Sequence, residues 1–276
     1  MAKKGTAVAK KDQSQLPAGA SDFQQFDGMG MENVGATDLI VPRLTILQQM
    51  SPQVNKKKPE FIEGAEIGMI CDVATGDFWE DGIHFLPVYF RKDYLEWAPR
   101  ESGKGLQNIH SDPAILDQCE RDDRNRTFLA NGNQIIETAQ WFGLNFGPGA
   151  GRRRSFIPMA STQLKKSRKW MTMATGEKLP RGDGTEYTPP LFYRLYHLTT
   201  ADESNNEGDW SGWKINRAPA LPEPDAAEIL GIPYKDVMKE AMEFYTMLRE
   251  GQARGDLESM RDEATGAGSR DPNGAM

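Results

Sequence analysis

The chain has 276 residues, 38% of them hydrophobic, with 27 glycines and 17 prolines, and a formal net charge of -7. That length allows one large domain or two small ones, and the composition suggests a folded middle diluted by polar extensions. It argues against a helical membrane span, since no apolar run approaches about 20 residues, and against a surface coated in positive charge for duplex DNA.

Residues 1–37 show no periodicity, lack the apolar stretch of a signal peptide, and read as a disordered N-terminal arm of a cytoplasmic protein. Order is expected from Asp38, with Leu44 and Leu47 marking a short helical turn and residues 55–59 a solvated basic loop. A strand over 67–73 and the turn Ala74-Thr75-Gly76-Asp77 lead into a longer strand over 83–97. That strand is apolar on both faces near 85–90, as in a central position. Residues 101–133 read as an inserted polar loop with a short helix near 113–119. The two cysteines, Cys71 and Cys119, are in no metal-ligand spacing and read as reduced thiols.

Strands follow over 134–146 and 153–159, then a helix from Ser161 to about Thr175. Its Leu164, Met171 and Ala174 share one side, with Lys165, Lys166, Arg168 and Lys169 on the other. Two closing strands, 191–200 and 210–217, are joined by a polar turn over 202–208. Asp225 and Glu228 suggest a capping box for a short helix. A longer helix begins at Pro233 with Val237, Met238, Ala241, Tyr245 and Leu248 on one stripe, and a disordered tail begins at Gly255. The fold class expected is mainly β with a few helices, an OB-like Greek-key barrel with one strand more than the minimum. We divide the chain into an arm (1–37), an OB-like nucleic-acid-binding core (38–220), a helical extension (221–254) and a tail (255–276).

The strongest chemical signal is the run from Arg152 to Lys169. It holds Arg152, Arg153, Arg154, Lys165, Lys166, Arg168 and Lys169 and no acidic residue, in a chain that is negative overall. Such clustering suits a phosphate backbone, where each neutralised phosphate releases counterions without reading sequence. Aromatics beside charge supply the second signal, because unstacked bases can lie on them. Arg91, Tyr94, Trp97 and Arg100 form one such group, Trp170 lies at the end of the basic run, and Trp213 neighbours Lys214. Trp97 and Trp213 are expected to be the most exposed.

Enzymatic motifs are weak. The glycine-rich stretch from Gly147 to Arg152 lacks the Gly-Lys-Ser/Thr ending of a nucleotide-binding loop, and His84, His110 and His197 are in no metal-ligand pattern. We expect no catalytic residues, no cofactor and no metal.

Three segments carry a family resemblance. Val41-Pro42-Arg43-Leu44-Thr45-Ile46-Leu47-Gln48-Gln49-Met50-Ser51-Pro52, the stretch from Ser161 to Trp170, and Gly208-Asp209-Trp210-Ser211-Gly212-Trp213-Lys214 resemble those of a tailed-bacteriophage family. Some of its members are taken to be single-stranded-DNA-binding proteins, and the resemblance spans roughly residues 38–220. It implies an OB-like barrel that coats exposed strands during phage replication or recombination, in the host cytoplasm, with replication or recombination proteins as partners. Better-known single-strand binders end in a strongly acidic tail, whereas here the acid lies upstream. Residues 221–276 hold twelve acidic and six basic side chains. A strand-annealing recombination protein, which would self-assemble, and a non-enzymatic protein-interaction factor are the alternative expectations.

Overall fold

The computed structural model describes residues 29, 40–149, 151–205, 208–257 and 260. The arm expected over 1–37, Met29 apart, lies outside the described residues, as does most of the expected tail. The strands of three or more residues are β1 (Leu44–Ile46), β2 (Ile70–Asp72), β3 (Ile83–Trp97), β4 (Leu106–His110), β5 (Cys119–Arg121), β6 (Thr127–Leu129), β7 (Gln134–Phe146), β8 (Arg153–Ala160), β9 (Arg194–Asn205) and β10 (Gly208–Ala220). The helices are α1 (Leu164–Thr175), α2 (Ala226–Leu230) and α3 (Tyr234–Arg249). The protein is mainly β, built on a curled half-barrel sheet.

Two long strands organise that sheet. β3 and β7 pair antiparallel from His84 opposite Phe146 to Trp97 opposite Gln134. Pro87 lacks an N–H, and the register shifts between Pro87 and Tyr89 as a bulge. The bulge changes which residues face each side: Leu86 before it, Val88 within it and Tyr89 after it pack on the same core. The main path runs β10-β9-β3-β7-β6-β5, with β8 also on β7 and β4 also on β3. Gly143 permits the close crossing, since a Cβ there would stand 2.2 Å from the Leu86 carbonyl oxygen.

Both faces of the sheet are apolar, which explains the two-sided hydrophobic run in β3. One face carries Phe85, Trp141, Ile157, Tyr196 and Trp213 under α1, together with a three-stranded sheet of β1, β2 and Phe78–Trp79. The other carries Leu86, Phe142, Phe156 and Leu195 against α2 and α3. The expected helical extension therefore shares a core with the sheet.

Several local expectations are corrected. Leu44 lies in a strand, because Leu44, Thr45 and Ile46 are all buried and pair with β2. Residues 101–133 contain three paired strands, held by polar contacts that leave no hydrophobic periodicity to read. The hairpin β9–β10 continues through Asp202 and Asn205, with Asp202 opposite Ser211 and Asn205 opposite Gly208. Residues 191–193 form a 3-10 turn before β9. Asp225 makes no side-chain cap, its backbone being helical already. Beyond the expected end of order, Gly255 pairs with Val41 in a parallel bridge, and Leu257 and Met260 are buried.

Candidate nucleic-acid interface

The start of α1 is built against its own stability. A 3-10 turn (Ser161–Gln163) leads into it, and neither element has a side-chain N-cap or an acidic residue in its first turn. Lys165 and Lys166 stand there instead, where the helix dipole disfavours cations by roughly 0.3–1 kcal/mol each. Gln163, at the N-cap position, turns its side chain elsewhere. Its Oε1 accepts from the Trp213 backbone N–H at 3.1 Å, and its Nε2 donates to Glu203 at 3.4 Å.

The helix divides cleanly between core and solvent. Ser167 and Trp170 are buried beneath it. Trp170 stacks on Trp141 with centroids 4.1 Å apart, and Ser167 Oγ accepts from Trp141 Nε1 at 2.9 Å. Lys165, Arg168 and Lys169 are exposed. Neither Lys165 nor Lys169 has a carboxylate partner among the described residues. Arg168 has 72% of its side chain exposed and reaches Glu137 only at 3.9 Å.

The nearby acids are already engaged. Glu137 also takes Lys92 at 3.3 Å. Glu203 holds Lys166 at 2.5 Å and accepts from Trp210 Nε1 at 2.9 Å. Burial pushes the Glu203 carboxyl up, but Lys166, Trp210 and Gln163 outweigh it and hold the group below the usual carboxylate range. At the far end Arg217 donates to the Met173 carbonyl at 2.6 Å, a favourable placement for a cation at a helix C-terminus. The outer face of α1 is thus a compact cationic surface.

The rest of the expected site is distributed differently. The basic run is continuous in sequence, but β8 separates its two halves by about 23 Å, from the three arginines at one end to α1 at the other. Arg152 pairs with Glu240, and Arg153 pairs with Asp77 and donates to Thr75 Oγ1 at 2.9 Å. The Arg154 guanidinium lies over the Phe244 ring at 5.4 Å. These three arginines bind the β7–β8 end of the sheet to α3 and to the turn after β2.

The expected exposure of the aromatics is corrected. Trp97 and Trp213 are only 3% and 5% exposed, Tyr94 is buried, and Trp170 is fully buried. Each lies on a strand or helix face turned into a core, so adjacent charge in the sequence marked the boundary of that face. Arg91 forms an ion pair with Asp93 at 2.6 Å and covers the Phe142 ring. Arg100 is exposed in the turn Arg100–Ser102. Lys214 is exposed on β10, where it is opposite Thr199.

Sequence reasoning missed Glu203, Gln163 and Glu137, which set how much of the basic helix remains available. Their only sequence signal is polarity, because the contacts cross between elements. Among the described residues no group of three or more His, Cys, Asp or Glu is placed to hold a metal ion. His84 and His197 stack at 4.8 Å across β3 and β9. Burial first, and the neighbouring His197 second, lower the His84 pKa. No described helix is long and apolar enough to cross a membrane.

No curated protein and no solved structure matches the chain significantly. Residues 10–254 match the sequence profile of a phage protein family described as Pam3 phage gp34-like protein, and the chain belongs to that family.

Proposed function

We propose that this member of the Pam3 phage gp34-like family binds single-stranded DNA through the outer face of α1, as a non-enzymatic coating protein of phage replication or recombination in the host cytoplasm. The observation that carries this reading is the exposed set Lys165, Arg168 and Lys169 on the outer face of a helix whose start has neither cap nor acid. Lys165, a cation placed where it weakens the helix, is accounted for by an anion that it meets, and Arg168 and Lys169 extend the same face. A phosphate backbone supplies that anion, and contact through phosphates alone is tolerant of sequence. The strand order also supports an OB-like barrel, since α1 follows three long sheet strands and precedes the closing pair β9 and β10.

Fluorescence anisotropy of a labelled oligo-dT strand over a salt series tests the proposal. Affinity is expected to fall steeply with salt. The variant Lys165→Glu/Arg168→Glu/Lys169→Glu should flatten the plot of log K against log salt by about 2, near 0.7 for each lost phosphate contact. An unchanged slope in that variant would remove α1 from the interface. A second reading, an acidic protein partner on the same face, is favoured by the burial of Trp97, Trp170 and Trp213, which leaves no tryptophan platform for bases among them. Failure to bind any nucleic acid at low salt decides for it.

A further inference from the structure

A second surface lies away from α1. Helix α3 buries Val237, Ala241, Phe244 and Leu248 against the sheet. Beside that buried face, Tyr234, Met238 and Met242 recur every four residues and are 38%, 39% and 54% exposed. Scattered exposed apolar side chains need no explanation, but three in line on one helix make a continuous strip. At 100° per residue, Lys235 and Lys239 fall on its solvent-side rim, and Arg249, which covers the Tyr245 ring, closes its C-terminal end.

The rim chooses among occupants. In an antiparallel two-fold pairing of α3 with a second copy, the same rim of each helix lies on the same side of the interface, so the lysines of one rim would meet the lysines of the other. The positive rim calls for an acidic segment with apolar anchors. The chain contains one: between Lys11 and Arg43 there are five acidic residues and no basic one, with Phe23 and Phe26 flanked by Asp22 and Asp27. Its attachment point lies past the C-terminal end of α3, since Ile40 pairs with Arg254, five residues beyond Arg249. Thirteen residues lie between Phe26 and Ile40, a reach of up to about 45 Å, against a helix about 24 Å long.

We infer that the chain's own segment 22–32 docks on α3, with Phe23 and Phe26 on the Tyr234–Met238–Met242 strip and Asp22 and Asp27 toward the lysine rim. Met29, exposed in the structure, is not an anchor. The inference is independent of the nucleic-acid reading.

Calorimetric titration of a synthetic peptide of residues 18–36 tests it, using the full chain. The Phe23→Ala/Phe26→Ala chain, its face vacated, should bind the peptide. The unaltered chain should bind roughly tenfold or more weakly, because the tethered copy competes at high effective concentration. Adding Met238→Glu/Met242→Glu to the vacated chain should abolish binding. Absence of binding to the vacated chain, equal binding by the unaltered chain, or indifference to the methionine changes would overturn the inference. A dimer in sedimentation that Met242→Glu dissociates and Phe23→Ala/Phe26→Ala leaves intact would instead assign the strip to a second copy.

Discussion

Four side chains converge on the carboxylate of Glu96. Asn133, Asn108 and His110 approach at 2.6, 2.8 and 2.9 Å and Asn131 at 3.4 Å, and the group is almost fully buried. Burial pushes its pKa up, but the four bonds outweigh burial and bring it from 4.5 to about 2. A folded-state pKa below the unfolded one means stability that is complete above about pH 4.5 and is lost as the pH falls toward 2. Urea titrations between pH 5 and pH 2 should show about 3 kcal/mol of acid destabilisation that is missing from Glu96→Gln. Equal acid sensitivity in both proteins would count against this role. Trp97 was legible as aromatic beside charge, but its burial was not, because neighbours in sequence do not reveal which face of a strand is covered. Trp97→Ala should therefore cost about 3–5 kcal/mol in unfolding free energy, as a core truncation does. A folded, equally stable variant with weakened DNA binding would restore the stacking role.

At the scale of elements, two glutamines bond the backbone of the edge strand β10, Gln48 from the segment after β1 and Gln163 from the start of the basic helix. Gln48 donates to the Ser211 carbonyl at 2.8 Å and accepts from the Ser211 N–H at 3.0 Å, while Gln163 takes the N–H of Trp213. Side chains thus occupy part of the exposed margin of β10, which would otherwise invite another strand. The cost falls on α1, which loses Gln163 as a local cap and keeps lysines in its first turn. Lys165→Glu should raise the unfolding free energy by about 0.5 kcal/mol through the helix dipole, while weakening oligo-dT binding. Thermal melts and anisotropy read the two effects separately, and a loss of stability would show that the lysine serves the fold. The boundaries of β3, β7 and α1 were readable because long apolar runs and a basic-apolar division are local patterns. The edges of the 101–133 insertion were not, because its short strands are fixed by Glu96 and Asp93, which lie outside it. Ser111 donates to Asp93 at 2.8 Å.

Across the whole molecule, the change of character beyond Pro219 suggested an appended helical piece, whereas α3 completes the core. Phe244 is fully buried in the cluster that contains Leu86, Phe142 and Phe156, and Arg154 of β8 covers its ring. Composition marks α3 as amphipathic but cannot say which surface it covers, and Phe244 fell outside the stripe read from the sequence. The curl of the sheet was equally hidden, since it arises from a β3–β7 pairing between segments some fifty residues apart. If α3 were an independent extension, Phe244→Ala would melt the helix alone and leave the half-barrel unchanged. Because Phe244 shares one core with Leu86 of β3 and Phe142 of β7 and lies under Arg154 of β8, the substitution should lower the stability of the entire protein by about 3–5 kcal/mol. The loss should appear at the same denaturant concentration in far-ultraviolet dichroism and in tryptophan fluorescence, since the tryptophans lie in the two sheets and α1 and not in α3. Separated transitions, with the fluorescence change unmoved by the mutation, would divide the chain into the two units that its composition suggests.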